Sequence, residues 1–219
     1  RSYTRNESWD DIRILLEREV ETAHNERKLV AAYYQLAFMH ETKRGDLEKA
    51  AEIYHKTLDI RRGHEEAFIR LKNILLKQQQ WHELFNLYSK RLPAITDRQK
   101  SAELHLEMGT VAEEHMGDQS KALTHYQAAL EQNPDNPDLL WRLAQIYLDM
   151  ERWSEAESVL ANLKTKADTH DQNIALHRAQ ARLYEEHLRD IPRAVDALEE
   201  LLHFGVDEPE IREKLSALY

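Results

Sequence analysis

The chain has 219 residues, of which 42% are hydrophobic and 32% charged, with five Gly, five Pro and no Cys. That supply of apolar side chains suffices for a buried core, and the shortage of turn formers predicts an all-helical chain with short connections. The missing Cys excludes disulfides and thiolate metal sites, and a formal net charge of −10 argues against nucleic acid or an anionic membrane surface as the main partner. No apolar run approaches the roughly 20 residues that span a bilayer, and no signal peptide is visible. The compartment stays open, with the cytoplasm as default. The sequence opens at Arg1 rather than Met and is expected to be a piece of a longer protein.

Helical periodicity then appears along the whole chain. Residues 1–29 hold one helix starting near Trp9 and the connection out of it. Further helices are predicted at 29–43, 46–60, 65–78, 81–91, 97–115, 118–131, 137–149, 152–164, 172–187, 190–203 and 209–219. Within 118–131, Ala122, Tyr126 and Leu130 are four apart and share a face, Asp118 sits where an N-cap belongs, and Pro134 closes the segment. Pro93 ends one helix because it cannot donate an amide inside it. Pro137 and Pro209 suit first helical positions.

The same pattern recurs every 72 residues. Identical triples are Trp9, Trp81, Trp153; Glu41, Glu113, Glu185; Asp46, Asp118, Asp190; Ala50, Ala122, Ala194; Leu58, Leu130, Leu202; and Leu71, Leu143, Leu215. Conservative triples, such as Ala37, Gly109 and Ala181, fill the gaps. Each 72-residue unit divides into two pairs of helices, an earlier helix A and a later helix B. Two alternating repeats of about 34 residues have the tetratricopeptide period.

Leu140, Leu143, Ala144, Tyr147, Ala156 and Leu160 match the tetratricopeptide pattern in one repeat; Phe68, Leu71, Leu75, Trp81, Leu84 and Tyr88 do so in another. Met108, Gly109, Ala122, Tyr126, Ala129 and Pro134 do so in a third. Over essentially its whole length the chain resembles the tetratricopeptide-repeat superfamily. It departs at Lys72, which replaces a small residue, at Arg91, which replaces an Ala, and in three A helices that carry one extra residue before the turn. The resemblance implies an all-α, right-handed superhelical solenoid of helix pairs with a 72-residue double-repeat register. It divides the chain into a trailing half repeat and connection (1–29), repeats at 30–64, 65–101, 102–136, 137–173 and 174–208, and the leading half of another at 209–219.

The search for chemistry finds little. No HExxH or EF-hand motif, Gly-rich phosphate loop or nucleophile motif occurs among the twelve His and many carboxylates. His105 and His177 stand at a repeat-packing position shared with Tyr33, and His115 and His187 follow Glu-Glu in equivalent turns. Duplication explains that spacing, so no metal, cofactor or catalytic role is expected. The Glu pairs at 113–114 and 185–186 are expected to be solvated, and Trp9, Trp81 and Trp153 to be core.

Residues that repeat every 72 hold the array together; groove-facing residues that do not repeat are free to carry specificity. In the tetratricopeptide frame the groove positions of the A helices form five rows: Tyr34, Phe38, Glu41; Ile69, Asn73, Leu76; Leu106, Thr110, Glu113; Trp141, Gln145, Leu148; and Arg178, Arg182, Glu185. Tyr34, Phe38, Ile69, Asn73, Leu106, Trp141, Gln145, Arg178 and Arg182 are the candidate partner-binding residues. The family's carboxylate clamp is matched only by Asn73. The resemblance implies a non-enzymatic module that holds a peptide or helical segment in its groove. Alternatives are a structural or self-associating scaffold, and a regulatory region of a larger enzyme. Ile211, Leu215 and Leu218 lie on one face of a last helix without a B partner, which predicts end-to-end contacts between molecules or fraying.

Overall fold

The computed structural model describes residues 3–219, with side chains from Trp9 onward. Among the described residues there are twelve α-helices and no strand. They form two compact units, residues 1–117 and 118–219. The first holds α1 (Tyr3–Thr22), α2 (Glu26–Met39), α3 (Leu47–Ile60), α4 (Glu65–Lys77), α5 (Trp81–Arg91) and α6 (Arg98–Thr110). The second holds α7 (Gln119–Gln132), α8 (Pro137–Asp149), α9 (Trp153–Lys164), α10 (His170–Arg182), α11 (Ile191–His203) and α12 (Pro209–Leu218).

Within each unit the helices pack chiefly on their neighbours in sequence, which is the organisation of a helical-repeat solenoid. Longer-range side-chain bridges sort the helices into two layers. In the first unit Arg70 of α4 reaches Tyr34 of α2, and Lys72 of α4 reaches Glu107 of α6. Opposite them, His55 of α3 meets Glu83 of α5 at 2.9 Å. In the second unit Arg178 of α10 bonds Glu208 beside α12, whereas Arg193 of α11 bonds Glu157 of α9. Even-numbered helices of these pairs are the A helices and odd-numbered ones the B helices.

The sequence dictates where each helix starts. The side chains of Asp46, Asp118 and Asp190 accept hydrogen bonds from the amides of Lys49, Lys121 and Arg193 at 2.9–3.1 Å, relieving amides that have no partner inside the helix. Asn25, Asp97, Asn136 and Thr169 do the same for the A helices. Pro137 and Pro209 are first residues of their helices.

The helix ends take two forms. α4 and α8 close with Gln79 and Glu151 in the left-handed region, and the amides of Gln80 and Arg152 reach back to the carbonyls of Leu75 and Tyr147. α2, α6 and α10, which carry one extra residue, instead run into a π turn: His40–Arg44, Val111–His115 and Leu183–Leu188. A π turn accommodates one residue more than an α turn. Gly45, Gly117 and Arg189 follow with φ of 66°, 64° and 54°.

Small residues let the helices approach: Ala37, Gly109, Ala50, Ala122, Ala194 and Ala181 are all buried. Tyr54, Tyr88 and Tyr126 are fully buried beside them. Three expectations need correction. Trp9, Trp81 and Trp153 are half-buried rather than core. Each opens or lies in a B helix at the turn edge, where the π turn of the following A helix covers one face of the indole. Trp81 stacks on His115 and Trp153 on His187, both at 3.7 Å between ring centres, and the Lys43 ammonium lies 5.0 Å over Trp9. Next, Glu41 and Glu185 are not solvated groove residues. Glu41 accepts from the Tyr54 hydroxyl at 2.7 Å and from Arg70, and Glu185 accepts from Lys214 at 2.8 Å. One extra residue rotates the end of a helix by about 100°, which turns these carboxylates toward the neighbouring A helix and leaves Glu114 and Glu186 in solvent. Last, Ile211 and Leu215 are covered: they pack with Leu198 and Leu201 of α11 and Ala181 of α10, with Leu218 at the margin.

Candidate partner-binding face

The A helices of the first unit expose a run of apolar side chains. Phe38 of α2, Ile69 and Leu76 of α4 and Leu106 of α6 are each 36–46% exposed. All four are predicted groove positions; isolated exposed hydrophobics are common, but here every one lies on an A helix of the first unit. Tyr34, one turn before Phe38, is half-buried. Its ring stacks on His64 at 5.0 Å, and its hydroxyl accepts from Arg70 Nε at 3.2 Å. The Arg70 guanidinium lies 4.4 Å over the Phe38 ring, a cation–π contact, while its Nη1 donates to Glu41. Burial, with the Glu41 carboxylate second, drives the Tyr54 phenol far above its ordinary value, so it is a permanent donor. The polar layer beneath the apolar run is therefore internally satisfied and fixed.

Beside Ile69 the layer opens. The connection from α5 to α6 contains a short 3₁₀ turn at Leu92–Ala94, where Pro93 stops the helix, and the residues after that turn form one wall of the opening. The result is a cleft of about 480 Å³ lined by Phe68, Ile69 and Asn73 of α4, Ile95 of the connection, and Lys100 and Leu104 of α6. Two of its three cations, Lys72 and Arg91, are bonded to Glu107 and Glu65. The Asn73 amide is exposed and makes no hydrogen bond among the described residues. On the opposite layer, the depression between α3 and α5 has its charges paired to each other, His55 with Glu83 and Lys90 with Asp59.

In the second unit the equivalent positions differ in kind. Trp141 of α8 is half-buried, and Gln145, one turn on, is exposed. Arg178 and Arg182 of α10 are both exposed, but they are not equivalent. Arg178 is bonded to Glu208, whereas Arg182 has no ion pair among the described residues. The structure thus brings Tyr34 and Phe38 together, and Ile69 with Asn73; Arg178 is diverted to a carboxylate that sequence spacing did not reveal.

Two buried imidazoles also escaped notice as a pair. His40 and His177 are buried, each with Nδ1 lacking a hydrogen-bond partner. Burial pushes both below the ordinary imidazole value, with Lys164 adding to the effect at His177 and Asp46 opposing it at His40. Among the described residues no cluster of three His, Cys, Asp or Glu could hold a metal, and no helix is long and apolar enough to cross a membrane.

Comparison with known proteins gives one reading. Residues 115–183 match the sequence profile of the tetratricopeptide repeat. No curated protein matches the chain. Among solved structures, the C-terminal part of a TPR repeat-containing protein from Cytophaga hutchinsonii superposes with a TM-score of 0.56 at 13% identity, covering 96% of this chain and 95% of that one. YrrB, a TPR protein with an unusual peptide-binding site, gives 0.53 at 17% identity over 91% and 96%. PilW, a type IV pilus biogenesis factor, gives 0.51 at 15% identity over 98% and 94%. At these identities the likeness is one of fold.

Proposed function

We propose that this chain, which carries the tetratricopeptide-repeat profile over residues 115–183 and has the fold of tetratricopeptide-repeat proteins, is an interaction module that binds a peptide or helical segment of a partner protein on its A helices. The A helices are α2, α4 and α6 in the first unit and α8 and α10 in the second. The observation that carries the reading is the exposed run Phe38, Ile69, Leu76 and Leu106 beside the cleft between α4 and α6. Ile69 at its mouth and the unpaired Asn73 amide suit an apolar side chain flanked by a backbone polar group. An apolar anchor entering a preformed pocket is the usual source of hot-spot energy. Trp141, with Arg182 on the next A helix, is a separate candidate contact within the second unit for an apolar residue followed by an acidic one, and Arg178 joins it only by exchanging Glu208 for that acidic residue. YrrB shows that a peptide-binding site is compatible with this fold.

A displayed random-peptide library tests this. Selection on the wild-type chain is expected to enrich peptides with aliphatic or aromatic anchors. Ile69→Glu should weaken the selected peptides at least tenfold, with an unchanged helical circular dichroism signal. Trp141→Ala should also weaken binding about tenfold, consistent with roughly 2 kcal/mol for a hot-spot aromatic. No enrichment, or equal binding by Ile69→Glu and wild type, would refute the groove. A Trp141→Ala variant that melts several degrees lower and binds unchanged would remove Trp141 from the site and make it a packing residue.

A further inference from the structure

The cleft between α4 and α6 has a floor that repeats along the chain and a charged rim that does not. On the floor, Phe68 and Leu104 stand 72 residues before Leu140 and Leu176, so apolar side chains hold these positions in both units. The four carboxylates of the cleft, Glu65, Asp97, Glu103 and Glu107, have Pro137, Thr169, Ala175 and Ala179 as their counterparts in the second unit. Its three cations have Ala144, Leu163 and Gln172. Helices of the same register form there without any of these charges, so the fold does not call for them.

Two of the cations are already matched. Lys72 holds Glu107 at 2.6 Å, and Arg91 holds Glu65. Asp97, Lys100 and Glu103 remain, all exposed and three residues apart on one side of α6. Asp97 caps the helix with Oδ1, and Glu103 accepts from the neutral Gln99 amide at 3.3 Å. Lys100 makes no ion pair among the described residues. Two carboxylates against one ammonium leave the mouth negative, in a chain whose formal net charge is −10. Charge at the rim of a binding surface selects the partner and fixes its register more than it adds affinity.

We propose that the segment bound in this cleft is basic as well as apolar. An apolar side chain lies on Phe68 and Leu104 beside Ile69, and a neighbouring Lys or Arg meets Asp97 and Glu103. Such a side chain suits the place, since its stem lies along apolar surface while its charged head stays at the carboxylates. Lys100 opposes that head and limits the preference. The inference rests on the groove reading and names the chemistry of its partner.

Peptides recovered from the display selection test it, each remade with Lys, Ala or Glu flanking its anchor and titrated by fluorescence anisotropy. The Lys form should bind the wild type about fivefold tighter than the Ala form, the upper end for an exposed ion pair, and the Glu form should bind most weakly. Glu103→Lys should abolish the preference, Glu103→Gln should reduce it and Lys100→Gln should widen it, all with unchanged helicity. Glu48→Lys makes the same change of net charge at an exposed position of α3, in the opposite layer, and should leave the preference intact. Ile69→Glu should weaken all three forms. Equal binding of the three forms, a preference for Glu, or a preference that Glu48→Lys removes as fully as Glu103→Lys would overturn the proposal and leave the groove standing. A selection that enriches no peptide would remove the groove and this proposal with it.

Discussion

The two units share a core and differ in what they show. Ala50 and Tyr54 in the first unit, and Ala122 and Tyr126 in the second, are equally buried at equivalent positions. The A helices are otherwise dressed. Those of the first unit present Phe38, Ile69, Leu76 and Leu106 to solvent, whereas α8 and α10 present Gln145, Arg178 and Arg182 beside a half-buried Trp141. The positions where helix meets helix carry the same residue types in both units, because a volume change of one methylene is felt there. The outward positions differ, since substitutions there cost little stability. Whatever distinguishes this chain's partners is therefore to be sought in the residues that fail to repeat.

The strongest way to break this comparison is to cut the shared core. Leu71 and Leu143 stand 72 apart and are 0% and 1% exposed. Truncating either to Ala leaves a cavity and should cost about 2–5 kcal/mol. If the units share packing, the two losses will agree within about a kcal/mol in denaturant titrations followed by circular dichroism. A loss in one unit and near-neutrality in the other would show that equal spacing in sequence does not mean equal packing.

Much of this was legible beforehand. Ala, Tyr and Leu at helical spacing, with Asp at the caps, fix the pairs of helices. The extra residue in three A helices is visible as a count, and it surfaces as the π turns at His40–Arg44, Val111–His115 and Leu183–Leu188. What sequence spacing could not supply is how far each turn edge is covered. The tryptophans repeat as faithfully as the core alanines, yet they are half-buried stacking partners for His115 and His187, because the edge has protein on one side only. Glu41 and Glu185 look like groove residues until the rotation at the π turn is included. Of the candidate face, the exposure of Phe38, Ile69 and Leu106 follows from helix phase alone. The cleft beside Ile69 depends on the conformation of the α5–α6 connection, which no periodicity encodes.

A smaller contrast lies in the two buried imidazoles. His177 is buried among α9, α10 and α11, facing Lys164, Glu200, Gln180 and the Phe204 ring at 5.7 Å. Its value lies below the ordinary 6.5 in the folded chain, so the unfolded chain binds more protons in that region. Stability from this group is therefore complete above about pH 6.5 and is lost as pH falls through the folded value. His40 shares the direction, opposed by Asp46 at 3.7 Å. Hydrogen exchange, which reports each unit separately, should show the second unit loosening between pH 7.5 and 5.0. His177→Phe should narrow that difference, and an unchanged difference would exclude His177 as its source.

The smallest expected effect concerns the left-handed residue that closes each π turn. The first unit places glycine there, Gly45 and Gly117, with φ of 66° and 64°; the second places Arg189 at 54°. A side chain in this region crowds the following carbonyl at a cost of about 1–2 kcal/mol, which glycine avoids. Glycine gives back part of that through its greater freedom when unfolded, about 0.5–1 kcal/mol. Arg189 is exposed and also places a cation near a helix C-terminus, which contributes about 0.3 kcal/mol at the low end of the range for such surface sites once salt screens it. Arg189→Gly should therefore stabilise by about 0.5 kcal/mol. The mirror experiment isolates the backbone, because a Cβ built on Gly45 meets nothing within 4 Å. Gly45→Ala should thus lose stability through φ alone, by about 1 kcal/mol. If Arg189→Gly destabilises while Gly45→Ala does so as expected, the arginine side chain makes a contribution in the second unit that has no counterpart in the first.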